Sequence, residues 1–296
     1  MLKTHTPAPR LTAGEDVRAR LLNGLPVTER RLRLNSLSTA VLEGGDGPPL
    51  ILLHGPAAYG AQWRHVIPEL AATHRVIAPD LPGHGASDPI DPPLDSAFVA
   101  GWLDDLIECT CPIPPVLVGH TLGGAIAARF AGERRDRVGT LVLVDALGLS
   151  PFQPSPAFGA ALHAFLARPT EGTLDGLWSQ CLFGLPEVRT RLAAQWDAIN
   201  TYTLDRIQAP GHLSSLSLLM DQFGIPAIPD DILARIAAPT TLIWGREDRA
   251  TPLAAAQRAS ARFGWPLHVI DGAADDPTLD QPDAFLYTLR QALERH

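Results

Sequence analysis

Val116-Leu-Val-Gly-His-Thr-Leu-Gly-Gly-Ala125 is the stretch on which the reading of the chain turns. An apolar run of strand character passes at once into Gly-x-Thr-x-Gly and then into a small-residue helical pattern. Glycines at 119 and 123 permit a tight strand-to-helix turn, which would present the central side chain, Thr121, over the helix N-terminus. Similar short apolar runs, bounded by Gly, Pro or Asp, lie at Leu50 to Leu53, Arg75 to Ala78, Pro115 to Val118, Thr140 to Val144, Thr240 to Trp244 and Pro266 to Ile270. That texture is expected of strands buried on both faces. Arg31 to Leu42 reads as one further strand-like run.

Helical periodicity fills the gaps at about Ala61 to Thr73, Ser96 to Glu108, Leu122 to Arg134, Pro252 to Phe263 and Pro282 to Arg295. The alternation predicts an α/β fold with a doubly wound, mostly parallel sheet. Thr12 to Asn23 reads as a short helix with capping-box spacing at Thr12 and Glu15, a Val17, Leu21 and Leu22 face, and an end at Gly24 and Pro26. It is expected to pack on the main domain. Leu147 to Ala237 differs, being rich in Phe, Leu, Trp and Pro, helical in period and free of strand signals. The expected division is a core of residues 1–146 and 238–296, with 1–27 as an N-terminal extension, and a helical cap of residues 147–237 over the carboxyl edge of the sheet.

With 296 residues, 46% of them apolar and 19% charged, the chain can bury one large core. Its 24 Lys and Arg against 32 Asp and Glu give a formal charge of -8 without any basic run, which disfavours nucleic-acid and anionic-membrane partners. The N-terminal MLKTHTPAPR has no apolar core of a secretory leader, and no later stretch has membrane-spanning character, so the expected location is cytoplasmic. Cys109, Cys111 and Cys181 form neither a disulfide framework nor a zinc pattern. No P-loop or dinucleotide fingerprint is present, so neither cofactor nor metal is expected.

Further motifs flank the elbow in fixed order. They are Leu53-His54-Gly55 with Trp63, Asp80-Leu-Pro-Gly-His-Gly-Ala-Ser-Asp88, Trp244-Gly-Arg-Glu-Asp248, and a C-terminal DGAADDPTLDQPDAF spanning Asp271 to Phe285. From Arg31 to the C-terminus, the cap excepted, the chain resembles the α/β-hydrolase superfamily, in its capped branch of esterases, C–C hydrolases and epoxide hydrolases. The resemblance implies that Thr121 holds the nucleophile position and Asp248 that of the triad acid. An ungapped alignment puts Asp275 where the family has its general-base histidine. It further implies oxyanion donors from Leu122 and residue 56, the latter Pro56. His54, Gly55, His120 and Asp145 would border the pocket, with His54, His84 and His120 in structural hydrogen bonds. Asp145 stands where some relatives place an alternative acid, and is read here as a loop cap.

Each altered position bears on the same reaction. An internal Thr is stiffer than Ser and lacks the N-terminal amine that activates known Thr nucleophiles. An aspartate does not shuttle protons near neutrality as imidazole does, and proline has no N–H to donate. The expectation is a degenerate triad, Thr121/Asp248/Asp275, unsuited to ordinary serine hydrolysis. Asp248 and Asp275 are expected to share a proton, unless Arg246 or Arg249 neutralises Asp275 or the loop turns Asp275 and Asp276 to solvent. Three functions follow: non-hydrolytic acid–base chemistry on a small apolar carbonyl- or ester-like molecule, weak ester hydrolysis through Thr121, or ligand binding without catalysis.

Overall fold

The computed structural model of the chain describes residues 13–91 and 94–294. Eight strands form one sheet: β1 (Thr28–Leu34), β2 (Leu37–Gly44), β3 (Pro49–Leu53), β4 (Arg75–Pro79), β5 (Val116–His120), β6 (Thr140–Val144), β7 (Thr240–Gly245) and β8 (Leu267–Ile270). Their order is β1-β2-β4-β3-β5-β6-β7-β8. β3 to β8 run parallel, and β1 and β2 form an antiparallel edge. This is the mostly parallel sheet that the alternating pattern predicts.

Strand residues alternate between two apolar layers, which explains why the strands read as unbroken hydrophobic runs. Ile51, Leu53 and Leu117 join Trp102 and Trp244 on one face. Leu50, Leu52 and Val118 join Trp63 and Phe285 on the other. Helices Ser96–Thr110, Leu122–Glu133 and Leu253–Phe263 contribute to the first layer, and Pro282–Glu294 to the second.

The edge departs from expectation. Arg31 to Leu42 is not one strand but the arms of the β1–β2 hairpin, because Asn35 and Ser36 take φ of 43° and 70°. Two successive left-handed residues make the tight turn that matches strand twist. Asn35 is fixed there by its N–H to Asp105 Oδ2 (2.6 Å) and its Nδ2 to the Phe98 carbonyl (2.8 Å). The expected helix from Ala61 is likewise divided, into a 3₁₀ segment Gly60–His65 and a short helix Ile67–Ala71 with Pro68 in its first turn.

Between β6 and β7 the chain is helical, with Pro156–Ala167, Glu171–Cys181, Leu185–Leu192, Ala194–Gln208, His212–Leu219, a π-helical turn Met220–Gly224 and Asp230–Leu233. The first helix, Ala13–Leu22, ties this segment to the sheet. Arg18 reaches Glu29 Oε2 (2.6 Å), Asp80 Oδ2 (2.9 Å) and the Tyr202 hydroxyl (2.9 Å). The expected Thr12–Glu15 cap lies outside the described residues, as does Arg295. Among the described residues no helix is long and apolar enough to cross a membrane.

Candidate active site

β5 ends at His120 and helix Leu122–Glu133 begins two residues later, leaving Thr121 between them at φ 45° and ψ -107°. A β-branched residue is rarely found at positive φ. The turn is held by the Thr121 N–H to the Val144 carbonyl (2.9 Å) and by Gly123 N–H to the His54 carbonyl (3.1 Å). A Cβ on Gly123 would stand 2.5 Å from the Leu53 carbonyl oxygen, so only glycine fits. Thr121 is 3% exposed and its Oγ1 has no hydrogen-bond partner among the described residues.

Gly55 packs directly on this hydroxyl: a Cβ there would lie 2.4 Å from Thr121 Oγ1 and 3.1 Å from His120 Nδ1. Gly55→Ala is therefore expected to cost about 1–3 kcal/mol, the usual range for overpacking. In a Thr121→Ala background the cost should shrink, and denaturant midpoints of the four variants measure the difference.

A polar chain runs behind the elbow. Gly55 N–H donates to Gln62 Oε1 (3.3 Å), and Gln62 Nε2 lies 2.8 Å from Asp276 Oδ2 and 3.1 Å from His120 Nδ1. An amide nitrogen carries only donors, so His120 Nδ1 accepts and the ring proton sits on Nε2. That Nε2–H donates to the Asp275 carbonyl at 2.6 Å. His120 thus anchors the backbone of the loop after β8, a structural role consistent with the expectation from sequence. Asp276 is buried and caps helix Pro277–Asp280 through the Thr278 and Leu279 amides.

Three carboxyls gather at the other end. Asp145 Oδ1 accepts from Gly245 N–H (2.8 Å), while Asp248 Oδ1 accepts from the Ala250 and Thr251 amides (2.7 and 2.8 Å). The Oδ2 of each is buried with no hydrogen-bond partner among the described residues. Burial holds Asp145 well above the usual carboxylate range, with the Asp248 charge adding to it. Burial likewise raises Asp248 to about 7, against the pull of the Thr251 and Ala250 amides.

Asp275 is the third. Burial, then the charge of Asp248, push it up to about 8, with His120 opposing. Its Oδ1 is buried without a partner, and its N–H bonds to the Cys181 carbonyl (3.1 Å). Neither arginine considered from sequence neutralises it. Arg246 pairs with Asp271, and Arg249 donates to the Ser179 carbonyl at 2.9 Å. Nor does the loop turn to solvent, since Asp276 is buried and Asp275 borders the cavity described next.

A cavity of about 320 Å³ opens over Thr121. Its walls are mostly apolar, with Phe152, Phe158, Phe165, Leu177, Trp178 and Met220 from the segment between β6 and β7. Gly55, Pro56, Ala57, Gln62, Arg64, His120, Thr121, Cys181, Asp221, Asp275 and Asp276 also line it. Of the residues expected at the pocket, His54, Leu122, Asp145 and Asp248 stand behind this surface. His54 is locked neutral there, its Nδ1 donating to the Gly55 carbonyl (2.8 Å) and its Nε2 accepting from Leu81 N–H (2.9 Å). Burial lowers it to about 3. Pro56 is exposed at the rim, and the next residue, Ala57, turns with φ 55°. The amides of Ala57 and Leu122 have no protein acceptor among the described residues. The sequence reading missed the cavity-lining Gln62, Arg64 and Cys181, which belong to no recognisable motif.

Known proteins resemble the chain in sequence and fold. The sequence pattern described as "Alpha/beta hydrolase family" matches residues 50–286. The chain is 30% identical over 260 residues to the pimeloyl-[acyl-carrier protein] methyl ester esterase of Chromobacterium violaceum, taking in 84% of this chain and 96% of that protein. It is 30% identical over 239 residues to the 2-hydroxy-6-oxo-6-phenylhexa-2,4-dienoate hydrolase of Burkholderia cepacia, with 77% and 80% covered. The solved structure of a hydrolase of that name from Rhodococcus superposes with a TM-score of 0.74 at 26% identity, over 91% of this chain and 99% of that one. A bacterial membrane phospholipase A, at 24% identity and a TM-score of 0.80, shares the fold.

Proposed function

Because the chain belongs to the Alpha/beta hydrolase family, yet carries Thr121 at the elbow and Asp275 after the last strand, we propose that it catalyses proton transfer on a small, apolar carbonyl compound. The observation that carries this reading is a pair of buried, unpartnered groups on residues that line the cavity, the Thr121 hydroxyl and Asp275 Oδ1. A carboxyl raised to about 8 is a stronger base than an ordinary one, and its value lies near neutral working pH.

In this reading ionised Asp275 takes the proton from a carbon next to the carbonyl. The C–H electron pair moves into an enolate whose oxygen accepts a hydrogen bond from Thr121. With a β,γ-double bond in the substrate the enolate is conjugated, and the proton then returns to its γ-carbon, giving an isomer with no atom gained or lost; without one it returns to the α-carbon. The apolar walls exclude water, which strengthens the Thr121 bond to the developing charge. Turnover should rise with pH through about 8 as Asp275 ionises.

Exchange of α-hydrogen for deuterium in 1-phenyl-1,3-butanedione, followed by proton NMR, tests this directly. Asp275→Asn is expected to lose about 10² to 10⁴ of the protein-dependent rate, the usual contribution of a general base, with the folded circular dichroism spectrum retained. Equal rates in parent and variant would sink the reading. A second reading, slow ester hydrolysis through Thr121, is supported by the uncommitted Ala57 and Leu122 amides. It requires p-nitrophenyl butyrate turnover that Thr121→Ala abolishes.

A further inference from the structure

Arg64 is 7% exposed and has no ion-pair partner among the described residues. Its Nη2 donates to the Leu21 carbonyl at 3.3 Å, a long bond to a neutral acceptor, and its Nη1 is buried with no partner. The charge felt nearby is that of Tyr59 alone, and burial drives that phenol upward, so it stays neutral. An enclosed guanidinium without an anion is a costly arrangement, and proteins ordinarily pair such a group with a carboxylate.

Among the described residues Arg64 is also the one Arg or Lys that lines the cavity over Thr121. The rest of the lining holds no other Arg or Lys, and its carboxyls are Asp221, Asp275 and Asp276, the last already bonded to Gln62 and the Thr278 hydroxyl. A ligand that fills the apolar walls and brings one negative group would supply the missing partner, in the planar bidentate geometry that guanidinium favours.

We propose that Arg64 is the anion-recognising end of this cavity, and that its ligand joins a carboxylate to an apolar body of about the cavity's length. This rests on the cavity being the ligand site and is independent of whether Asp275 transfers a proton. It makes Arg64 a specificity-determining residue contributed by the core rather than by the helices between β6 and β7.

Isothermal titration with 4-phenylbutyrate and with 4-phenyl-1-butanol, which have the same body with and without the charge, reads the inference. The parent should bind the carboxylate at least about tenfold more tightly than the alcohol, a modest return for a desolvated charge pair. Arg64→Gln and Arg64→Met should each abolish that preference while leaving alcohol affinity within about threefold. Two variants guard against a packing defect in either, because Met keeps the aliphatic stem and removes the unpaired charge. Equal affinity of the parent for both probes, or a preference that survives in Arg64→Met, would overturn the inference and leave the cavity as the ligand site. Failure of both probes to bind would overturn both.

Discussion

Asp275→Asn is expected to become more stable than the parent as pH rises, by an amount near zero at pH 4 and on the order of 3–5 kcal/mol at pH 8.5. In the unfolded chain an aspartate ionises near its ordinary value of about 3.9. In the folded chain Asp275 holds its proton to about 8, because burial and the Asp248 charge disfavour the ionised form. The folded state therefore binds the extra proton throughout the interval. Stability is fully present below the unfolded value, declines as pH climbs towards 8, and is lost beyond it. Asparagine keeps the shape and removes the titration. His54, His65 and His84 are lowered by burial to about 3, 4 and 4 and give the opposite slope below about 6.5. They are common to both proteins and cancel in the difference. Guanidinium midpoints for parent and variant across pH 4 to 9 measure it, and a difference independent of pH would show that Asp275 ionises normally in the fold.

The same titration tests how the three carboxyls divide their protons. From sequence alone Asp248 and Asp275 were the expected sharing pair, because they occupy the positions where an acid and a histidine meet. In the folded chain burial raises Asp145 and Asp275, the Asp248 charge adding to each, so a third carboxyl joins the two expected from sequence. Asp145 accepts from the Gly245 amide at the end of β7, and its second oxygen is buried with no partner among the described residues. Strand periodicity reveals that Asp145 lies at a strand end and not which neighbour its side chain faces. Register between β6 and β7 decides that, pairing Val144 with Ile243 and bringing the two strand ends level.

Much of the fold was legible because buried parallel strands and amphipathic helices leave distinct periods, and the elbow fixes where one becomes the other. β5 running into helix Leu122–Glu133 follows from Gly119, Thr121 and Gly123 as read. The β1–β2 turn was not legible, since Asn35-Ser36 lacks the glycine that usually marks adjacent left-handed residues. In the site, motif-bearing residues could be found and partnerless ones could not. Arg64 reads in sequence as an ordinary basic residue in a helical stretch. Its distinction lies in what the folded chain leaves away from it, which is a property of packing. Gln62 is similar, because its bridge between Gly55, His120 and Asp276 joins residues up to 214 positions apart.

Ester hydrolysis should appear in the double variant Thr121→Ser/Asp275→His, at about 10³ to 10⁴ times the parent rate on p-nitrophenyl butyrate, whereas neither single variant should approach it. The elbow already holds residue 121 in the conformation a nucleophile needs, so Ser gains a mobile hydroxyl without a change of backbone. Imidazole at 275 would replace a carboxyl that Asp248 already influences. Asp248, its Oδ1 held by the Ala250 and Thr251 amides and its Oδ2 without a partner among the described residues, has an acceptor left for an imidazolium partner. Either change alone leaves a nucleophile without a base or a base without a nucleophile, and such losses are not additive. Full recovery, up to about 10⁶, is not expected, because Pro56 has no N–H and one absent oxyanion donor costs about 10² to 10³. A third change, Pro56→Ala, should therefore raise the double variant further by about that factor if the site lacks a donor at position 56. No further gain would mean that the Ala57 amide, which follows the turn at φ 55°, already serves in its place. The hydrolytic scaffold would then differ from a working one only at Thr121 and Asp275.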